Sequence, residues 1–407
     1  MNTNPAWPLD VSIVMPCLNE ELSLPHCIAN ATEALDRIKA EYGLSGEIVI
    51  ADNGSTDGSQ ALAASLGARV VDVAEKGYGA AIIGGFTQAQ GRFLVMGDAD
   101  GSYDFRDSVA MIGKLLDGAE LCMGSRFKGG IKPGAMPWKN RYIGNPVLTG
   151  ILNLFFRSGV DDAHCGLRAI RKDTFLNLGL SGTGMEFASE MLIKASLRGV
   201  RIDEVPATLS PDLRDRPPHL RPWRDGWRHL RYLLMLSPTW LFGLPAMMSM
   251  AAGLALLAVA LLQYLVPGTA PQIGSYWTLL GSALVSIGHL SFLLALSAHL
   301  YGIRAGYRAP TGVTRLAARV ANLETMLLSG LGLFGLGAVI LGFVYLQWIN
   351  RDYQSLANVL LPTLGTLCLT LGMQNMLGGF LLAIIGGHKA SFFERAPDTA
   401  GPGKGRA

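Results

Sequence analysis

From Val11 onward, short apolar runs alternate with amphipathic stretches. Val11 to Met15 reads as a buried strand stopped by Pro16, and Leu24, Ile28, Ala31, Leu35 and Ile38 give helical spacing across Glu20 to Tyr42. Glu47 to Ala51 predicts a second strand and Ser59 to Leu66 a second helix. A third strand over Arg69 to Val73, a helix over Gly79 to Ala89 and a fourth strand over Arg92 to Met96 follow. Strands of this kind, apolar enough to be covered on both faces and separated by helices, predict an α/β domain with a mostly parallel sheet. Ligands of such sheets sit outside the carboxyl ends of the strands. Asn19-Glu20, Asp52-Asn53-Gly54-Ser55, Lys76-Gly77-Tyr78-Gly79 and Asp98-Ala99-Asp100 fall at those four ends. The site is expected where these loops converge.

The pattern changes after Arg231. No Asp, Glu, Lys or Arg occurs from Tyr232 to Ile303, and about 20 residues suffice for one membrane crossing. Pro267 and Gly268, with Pro271 and Gly274, divide this run into spans near 239–266 and 276–303. Further charge-free runs over 325–350 and about 355–387 are separated by Arg351-Asp352, so four transmembrane helices are predicted within 238–388. Arg304, Arg308, Arg315 and Arg319 follow the second span, whereas the loop at 267–275 carries no charge. The positive-inside rule then assigns the 304–324 loop, the N-terminal domain (1–221) and the tail (389–407) to the cytoplasm. Met1 to Asp10 lacks the basic and apolar regions of a signal peptide, in keeping with that orientation. Glycines of the third span (Gly330, Gly332, Gly335, Gly337 and Gly342) allow close helix contact and permit, without requiring, a homo-oligomer. Between the two parts, 222–237 has Trp223, Trp227, Leu230 and Leu234 on one side and Arg224, Arg228 and Arg231 on another. That pairing suits a helix lying on the membrane lipid.

Composition agrees with this division. The chain of 407 residues is 50% hydrophobic and only 16% charged, below the share usual in soluble domains. A net charge of +3 is too small to indicate nucleic-acid binding. Five scattered cysteines without a Cys-x-x-Cys pair indicate neither a disulfide framework nor a zinc site.

Asp98 and Asp100 are the strongest chemical signal. Two carboxylates with one residue between them can hold a hard divalent cation, Mg2+ or Mn2+, whose coordination is shared with substrate phosphates. A solvated acidic turn has the same composition; the place after the fourth strand favours the metal. The Asp52 turn can present a carboxylate and N–H groups to a base or ribose, or serve only to cap a helix. Glu186 and Glu190, one helical turn apart, are expected to orient arginines, and Cys165 beside His164 to be a small buried residue. His289 and His299, inside the second span, are expected to make helix-to-helix hydrogen bonds.

Pro16-Cys17-Leu18-Asn19-Glu20-Glu21, the Asp52 turn, Lys76-Gly77-Tyr78-Gly79 and Asp98-Ala99-Asp100 stand in the order seen in glycosyltransferase family 2. Met123-Gly124-Ser125-Arg126-Phe127, Asp162 through Arg168, and Gly184-Met185-Glu186-Phe187 extend the likeness, so that residues 10–235 resemble the polyprenyl-phosphate branch, the dolichyl-phosphate mannose and glucose synthases. The resemblance implies a GT-A, Rossmann-like mixed sheet, a nucleotide-sugar donor (UDP-glucose or GDP-mannose) and a polyprenyl phosphate acceptor. By the same resemblance Pro16, Asn19, Glu20, Asp52 and Lys76 line the nucleotide pocket, Asp98 and Asp100 hold the metal, and Ser125, Arg126 and Arg141 bind the acceptor phosphate. Three departures stand out. Asn53 replaces a second aspartate, Ser102-Tyr103 stands where many relatives have Gln, and a late Arg-x-x-Gly-x-Ser-Lys segment is replaced by Arg214 to Arg221. Arg216, His219 and Arg221 are the candidates there for reaching the diphosphate.

Three other readings compete. A processive polysaccharide synthase shares the fold, but its Gln-x-x-Arg-Trp segment is absent. A catalytically silent sugar-nucleotide sensor or membrane scaffold would be favoured by loss of Asp98 or Asp100, and both are present. A lipid flippase built on the four spans is disfavoured by their few charges.

Overall fold

The computed structural model describes residues 7–214, 222–266, 268, 273–308, 322–354, 358–388 and 392. Arg216, His219, Arg221, Arg315 and Arg319, and the side chains of Trp223, Arg224 and Arg228, lie outside the described residues. The chain divides into two compact units at Leu236/Ser237.

The first unit is built on seven strands: β1 (Leu9–Cys17), β2 (Gly46–Asp52), β3 (Arg69–Asp72), β4 (Gly91–Met96), β5 (Leu121–Ser125), β6 (Arg168–Arg171) and β7 (Ile202–Pro206). Their order in the sheet is β3-β2-β1-β4-β6-β5-β7. β6 runs antiparallel to both neighbours and every other pairing is parallel. Among the described residues nine α-helices accompany them: α1 (Leu24–Tyr42), α2 (Ser59–Ser65), α3 (Tyr78–Gln88), α4 (Ser108–Leu116), α5 (Arg126–Gly129), α6 (Asn145–Phe156), α7 (Lys172–Leu178), α8 (Phe187–Arg198) and α9 (Pro222–Met235).

Both faces of the sheet are covered, which is why the strands read as unbroken apolar runs. On one side Ile13, Met15, Ile50 and Val95 pack with Leu24, Ile28 and Ile38 of α1 and with Met111 and Leu115 of α4. On the other, Val14, Val49, Leu94 and Met96 pack with Ile82 and Phe86 of α3 and with Met191 and Leu192 of α8. Each such side chain contributes about 1.5–3 kcal/mol by leaving water.

Two local differences from the sequence reading have clear causes. α1 starts at Leu24 rather than Glu20, because the N–H groups of Ser23 and Leu24 both return to the Glu20 carbonyl, at 3.1 and 3.0 Å, and Pro25 occupies the first turn. The Glu20 side chain is thereby left at the cleft instead of on a helix. α9 belongs to the first unit: His229 and Leu233 are buried, and Leu233 joins the core with Met191 and Leu152. Trp227, by contrast, is 61% exposed, and Arg231 lies exposed one turn further on.

The second unit contains four apolar helices: Thr239–Leu265, whose regular part is α10 (Leu244–Leu265), then α11 (Ser275–Arg304), α12 (Leu323–Ile349) and α13 (Leu360–Ile385). They are 26 to 30 residues long, enough at about 1.5 Å per residue to exceed a hydrocarbon layer of ~30 Å. α10 packs on α11 and α12 on α13, through small residues spaced seven apart. A Cβ at Gly253 or Gly288 would run into the backbone of Gly281 or Ala246, and one at Gly330 or Gly337 into that of Gly372 or Gly365. Of the third-span glycines singled out by sequence, only Gly330 and Gly337 serve this contact; Gly332, Gly335 and Gly342 face open space. The two intramembrane histidines do bridge helices: His289 Nδ1 lies 2.9 Å from Gln374 Oε1, and His299 Nε2 lies 3.0 Å from Thr239 Oγ1.

Gly372→Val would set a branched side chain against the Gly330 carbonyl and the Phe334 backbone, neither of which can swing aside. It is expected to cost about 1–3 kcal/mol, as overpacking does, and to lower the thermal midpoint of the detergent-solubilised protein. Gly335→Val, at an open position, should leave that midpoint unchanged.

Candidate active site

The loops after β1, β2, β3 and β4 meet at one edge of the sheet, tied together by side-chain-to-backbone bonds. Asn53 is the knot. Its Nδ2 donates to the carbonyls of Val73 (3.1 Å) and Glu75 (2.6 Å), and its Oδ1 accepts from Gly77 N at 2.8 Å. The residue that departs from the family pattern is therefore committed to joining the second loop to the third. Lys76 donates to the Asn53 carbonyl at 2.7 Å and is otherwise exposed. Gly77, at φ 134°, lies so close to Thr183 that no side chain fits, which brings the 182–184 segment over the start of α3.

Asn19 adopts a left-handed conformation (φ 58°), and its Oδ1 accepts from Thr56 N at 2.7 Å. Asp52 is buried at the end of β2, where Oδ2 accepts from Gly54 N, Ser55 N and Gln60 Nε2 at 2.7–3.0 Å. Burial would raise its pKa, but the bonds from Ser55, Gln60 and Gly54 outweigh it and hold the carboxyl below its ordinary value. Oδ1 of Asp52 is buried without a hydrogen-bond partner, the kind of orphan that a ligand hydroxyl or amide can satisfy. Pro16 does not stop β1, which pairs on to Cys17 because Pro16 still accepts a place in the ladder opposite Ala51, beside this turn.

Asp98 and Asp100 follow β4. Asp98 Oδ1 accepts from the Tyr78 hydroxyl at 2.9 Å, and Asp100 Oδ1 from Ser102 N at 3.0 Å. Ser23 Oγ donates to the Ala99 carbonyl at 2.6 Å, fixing the triplet against the first loop. Desolvation, and then the charge of Asp100, push the Asp98 carboxyl well above the usual carboxylate range. A carboxyl pair short of positive charge fits a divalent cation. Among the described residues no three His, Cys, Asp or Glu side chains gather around a metal position. Two protein carboxylates with the remaining positions open match the sharing of Mg2+ or Mn2+ with substrate phosphates.

Arg214 faces the same carboxylates, and the sequence reading did not single it out. Its Nη2 lies 2.9 Å from Glu20 Oε1 and 3.3 Å from Asp100 Oδ2. Asn19, Glu20, Asp57, Leu213 and Arg214 line a cavity of about 220 Å³ beside the Asp52 turn. In the sequence Tyr78 stands out only as part of the Lys76–Gly79 motif. A bulky residue at the start of a helix gives no hint that its hydroxyl will reach across to another loop.

On the β5 side the arrangement differs from expectation. Arg126 is buried, and Asp162 accepts from its Nε (2.6 Å) and Nη2 (2.8 Å), so the fork expected to grip a phosphate is already occupied. Ser125 Oγ, beside it, is buried without a partner. Arg126 still acts on Asp98 through its charge. Arg141 sits elsewhere, in the turn before α6, with its guanidinium 5.4 Å from the Tyr142 ring. Trp138 (62% exposed), Tyr142, Ile143, Val147 and Leu154 form an open apolar face along this segment, with Lys139 over the Trp138 ring.

Among the described residues, Glu186 and Glu190 orient no arginine. Glu186 accepts from Gly184 N, while Glu190 accepts from Ser181 N and Gly182 N and pairs with Lys194 at 2.7 Å. Both shape the 181–184 loop. Cys165 is fully buried. Its neighbour His164 stacks edge-on with His229 at 5.3 Å, and burial, then His229, lower its pKa to about 3, so it stays neutral.

The glycosyl transferase family 2 domain matches residues 12–179, and the family's C-terminal transmembrane region matches 296–386. A hexosyltransferase of low-salt glycan biosynthesis from Haloferax volcanii is 33% identical over 377 residues, covering 92% of this chain and 89% of the relative. The chain belongs to glycosyltransferase family 2. It is a membrane glycosyltransferase with a GT-A-type mixed sheet. A dolichyl-phosphate hexose transferase from Haloferax volcanii is 29% identical over 198 residues, covering 48% of this chain and 81% of that one. A dolichol-phosphate mannosyltransferase from Pyrococcus furiosus is 28% identical over 206 residues, covering 49% of this chain and 56% of that one. The glucosyl-3-phosphoglycerate synthase of Mycobacterium tuberculosis overlies 56% of this chain and 77% of its own at 21% identity, with a TM-score of 0.43.

The raised pKa of Asp98 has a signed consequence. Between the ordinary carboxylate range and the raised folded value, the native glycosyltransferase holds a proton that the unfolded chain has released. Its metal-free stability therefore falls as pH rises through that window. Thermal unfolding should show this decline in the native protein and a flatter profile in Asp98→Asn. Added Mn2+, which needs the ionised pair, should raise the native midpoint more at pH 8 than at pH 5.5.

Proposed function

We propose that this glycosyltransferase moves a hexose from a nucleotide-diphospho-sugar, UDP-glucose or GDP-mannose, to a polyprenyl phosphate at the cytoplasmic face of a membrane. The observation that carries this reading is the Asp98–Asp100 pair, charge-starved and flanked by the Asp52 turn on one side and Arg126 on the other, in a domain followed by four membrane-length helices. The names of relatives lend support: two act on dolichyl or dolichol phosphate, and a third, from Mycolicibacterium smegmatis, is a polyprenol monophosphomannose synthase.

In this reading the base and ribose sit against Asn19, Glu20 and Asp52, next to the cavity that Arg214 closes, with Lys76 at the rim. Asp98 and Asp100 would hold Mg2+ or Mn2+, which offsets the charge that builds on the leaving diphosphate. An acceptor phosphate is already anionic at neutral pH and needs no general base. One of its oxygens forms the new bond to the anomeric carbon as the bond to the nucleoside diphosphate breaks, so the configuration inverts. The work of the protein is to bring two anions together and orient them. Arg126 contributes charge with its fork held by Asp162; Ser125 Oγ and Arg141 are the groups with hydrogen bonds to offer.

Two faces of the first unit support placing it at a membrane surface. The Trp138–Leu154 segment and the Trp227 side of α9 present aromatic and aliphatic groups beside lysine and arginine, the composition of the headgroup zone. With the arginines of the loop after α11 on the cytoplasmic side, the catalytic unit lies in the cytoplasm.

Purified protein should transfer label from UDP-glucose or GDP-mannose to undecaprenyl phosphate in the presence of Mg2+ or Mn2+. Chelator and Asp100→Ala should each remove at least about 100-fold of the activity, the scale of losing a preorganised charge at the reacting centre. Nucleotide-sugar binding without transfer to any polyprenyl phosphate, across a panel of donors, would leave a sensor as the better description.

A further inference from the structure

Beyond β7 the chain turns back across the mouth of the site, and its main chain is fastened there. Ala207 N donates to the Ser125 carbonyl (3.0 Å), Ser210 N to that of Ser102 (2.8 Å) and Leu213 N to that of Asp100 (2.9 Å). The Leu213 side chain lies against Gly101, between the second aspartate and Ser102. This strap delivers Arg214, whose side chain is only 17% exposed, onto two carboxylates. It grips Glu20 through two nitrogens, Nε at 3.1 Å and Nη2 at 2.9 Å, and touches Asp100 more loosely at 3.3 Å. Arg214 and Arg126 are the cations that act to lower the pKa of Asp98. Asp162 already engages Arg126, so among the described residues Arg214 is the cation left to answer the metal-binding pair.

The charge on this site must change during a catalytic cycle. Empty, it holds Glu20, Asp98 and Asp100 close together; loaded, it must also take a diphosphate and a divalent cation. An arginine anchored on Glu20 and resting lightly on Asp100 suits that change, since it can leave Asp100 without leaving its anchor. We propose that Arg214 is the resting counter-ion of Asp100, holding the metal position against a divalent cation alone and releasing it when the donor diphosphate arrives to receive the guanidinium. Metal and donor binding are then mutually dependent, each favouring the other through one side chain. This rests on the donor and metal assignment above and adds a requirement that the assignment does not contain.

The test is Mn2+ binding to the full-length protein, read from the paramagnetic resonance of free Mn2+, with and without UDP or GDP. In the wild type, Mn2+ alone should bind weakly and nucleotide should tighten it. Arg214→Gln should tighten Mn2+ alone by about tenfold, the scale of removing one nearby, partly screened charge. The same variant should shrink the enhancement by nucleotide. Arg214→Lys, which keeps the charge, should stay close to wild type, and Arg214→Met, keeping an aliphatic stem, provides a second neutral variant should the first not fold. A purely structural role for Arg214 would weaken both kinds of binding together. Mn2+ affinity without nucleotide that is unchanged or weaker in the neutral variants overturns the counter-ion role. Wild-type protein that binds no Mn2+ with either nucleotide would instead count against the donor and metal assignment itself.

Discussion

The first unit is organised around negative charge gathered at the carboxyl edge of a parallel sheet. Glu20, Asp52, Asp98 and Asp100 leave three adjacent strands within a cleft that shields them from water. Like charges so placed repel, and burial adds to the cost of ionising them. Much of the local architecture answers that cost. Backbone N–H groups and Gln60 surround Asp52, Tyr78 donates to Asp98, Ser102 N donates to Asp100, and Arg214 spans Glu20 and Asp100. Hydrogen bonds to its Oδ2 hold Asp52 below its ordinary pKa while its Oδ1 stays unpartnered, whereas Asp98 lies above. That contrast separates a carboxylate suited to recognising a neutral ligand group from one suited to a cation.

The elements that carry this edge could be read from the sequence because local pattern and tertiary role coincide there. Val11–Met15 is apolar at every position but Ser12 since both of its faces are covered, and the four loops follow from where those runs stop. The other half of the sheet was hidden. β6 is four residues long and holds two arginines, so no period of two can declare itself, and its antiparallel course depends on β4 and β5. Arg168 within it is fully buried and donates to the carbonyls of Ala163, Cys165 and Ala188. A guanidinium spent wholly on main-chain carbonyls looks, in sequence, like one meant for a ligand.

Site residues sort along the same line. That Asp98, Asp100, Asp52 and Asn19 lie at one edge of the sheet could be read from their distance to a strand end. The place of Arg214 could not, because its relation to Glu20 spans 194 residues and depends on the strap after β7. Glu186 and Glu190 misled for the converse reason: helical spacing puts two carboxylates on one face, but Glu190 is turned into the 181–184 loop, where backbone N–H groups meet it. In the second unit, glycine content marked the third span correctly as a packing element, yet only glycines in register with Gly365 and Gly372 touch their neighbour. Composition records how many small residues a helix has; contact depends on which side they occupy.

The Arg126–Asp162 pair shows how far the acceptor side differs from a preformed phosphate clamp. A bidentate guanidinium is the natural fork for a phosphate, and here Asp162 holds that fork. Asp162 is itself fixed, with its N–H donating to Glu204, and Glu204 pairs with Lys128. Breaking such a buried pair to free the guanidinium would cost about 3–5 kcal/mol, more than one new phosphate contact returns. In the proposed reaction Arg126 would therefore act by charge at a fixed position, and directional contacts with an acceptor phosphate would fall to groups that remain open. Ser125 Oγ is one, unpartnered beside Arg126; Arg141 is another, on the exposed aromatic segment with Trp138 and Tyr142. In the proposed reaction the lipid of the acceptor would stay in the bilayer, and the exposed aromatic segment that carries Arg141 is the part of this side suited to meeting it.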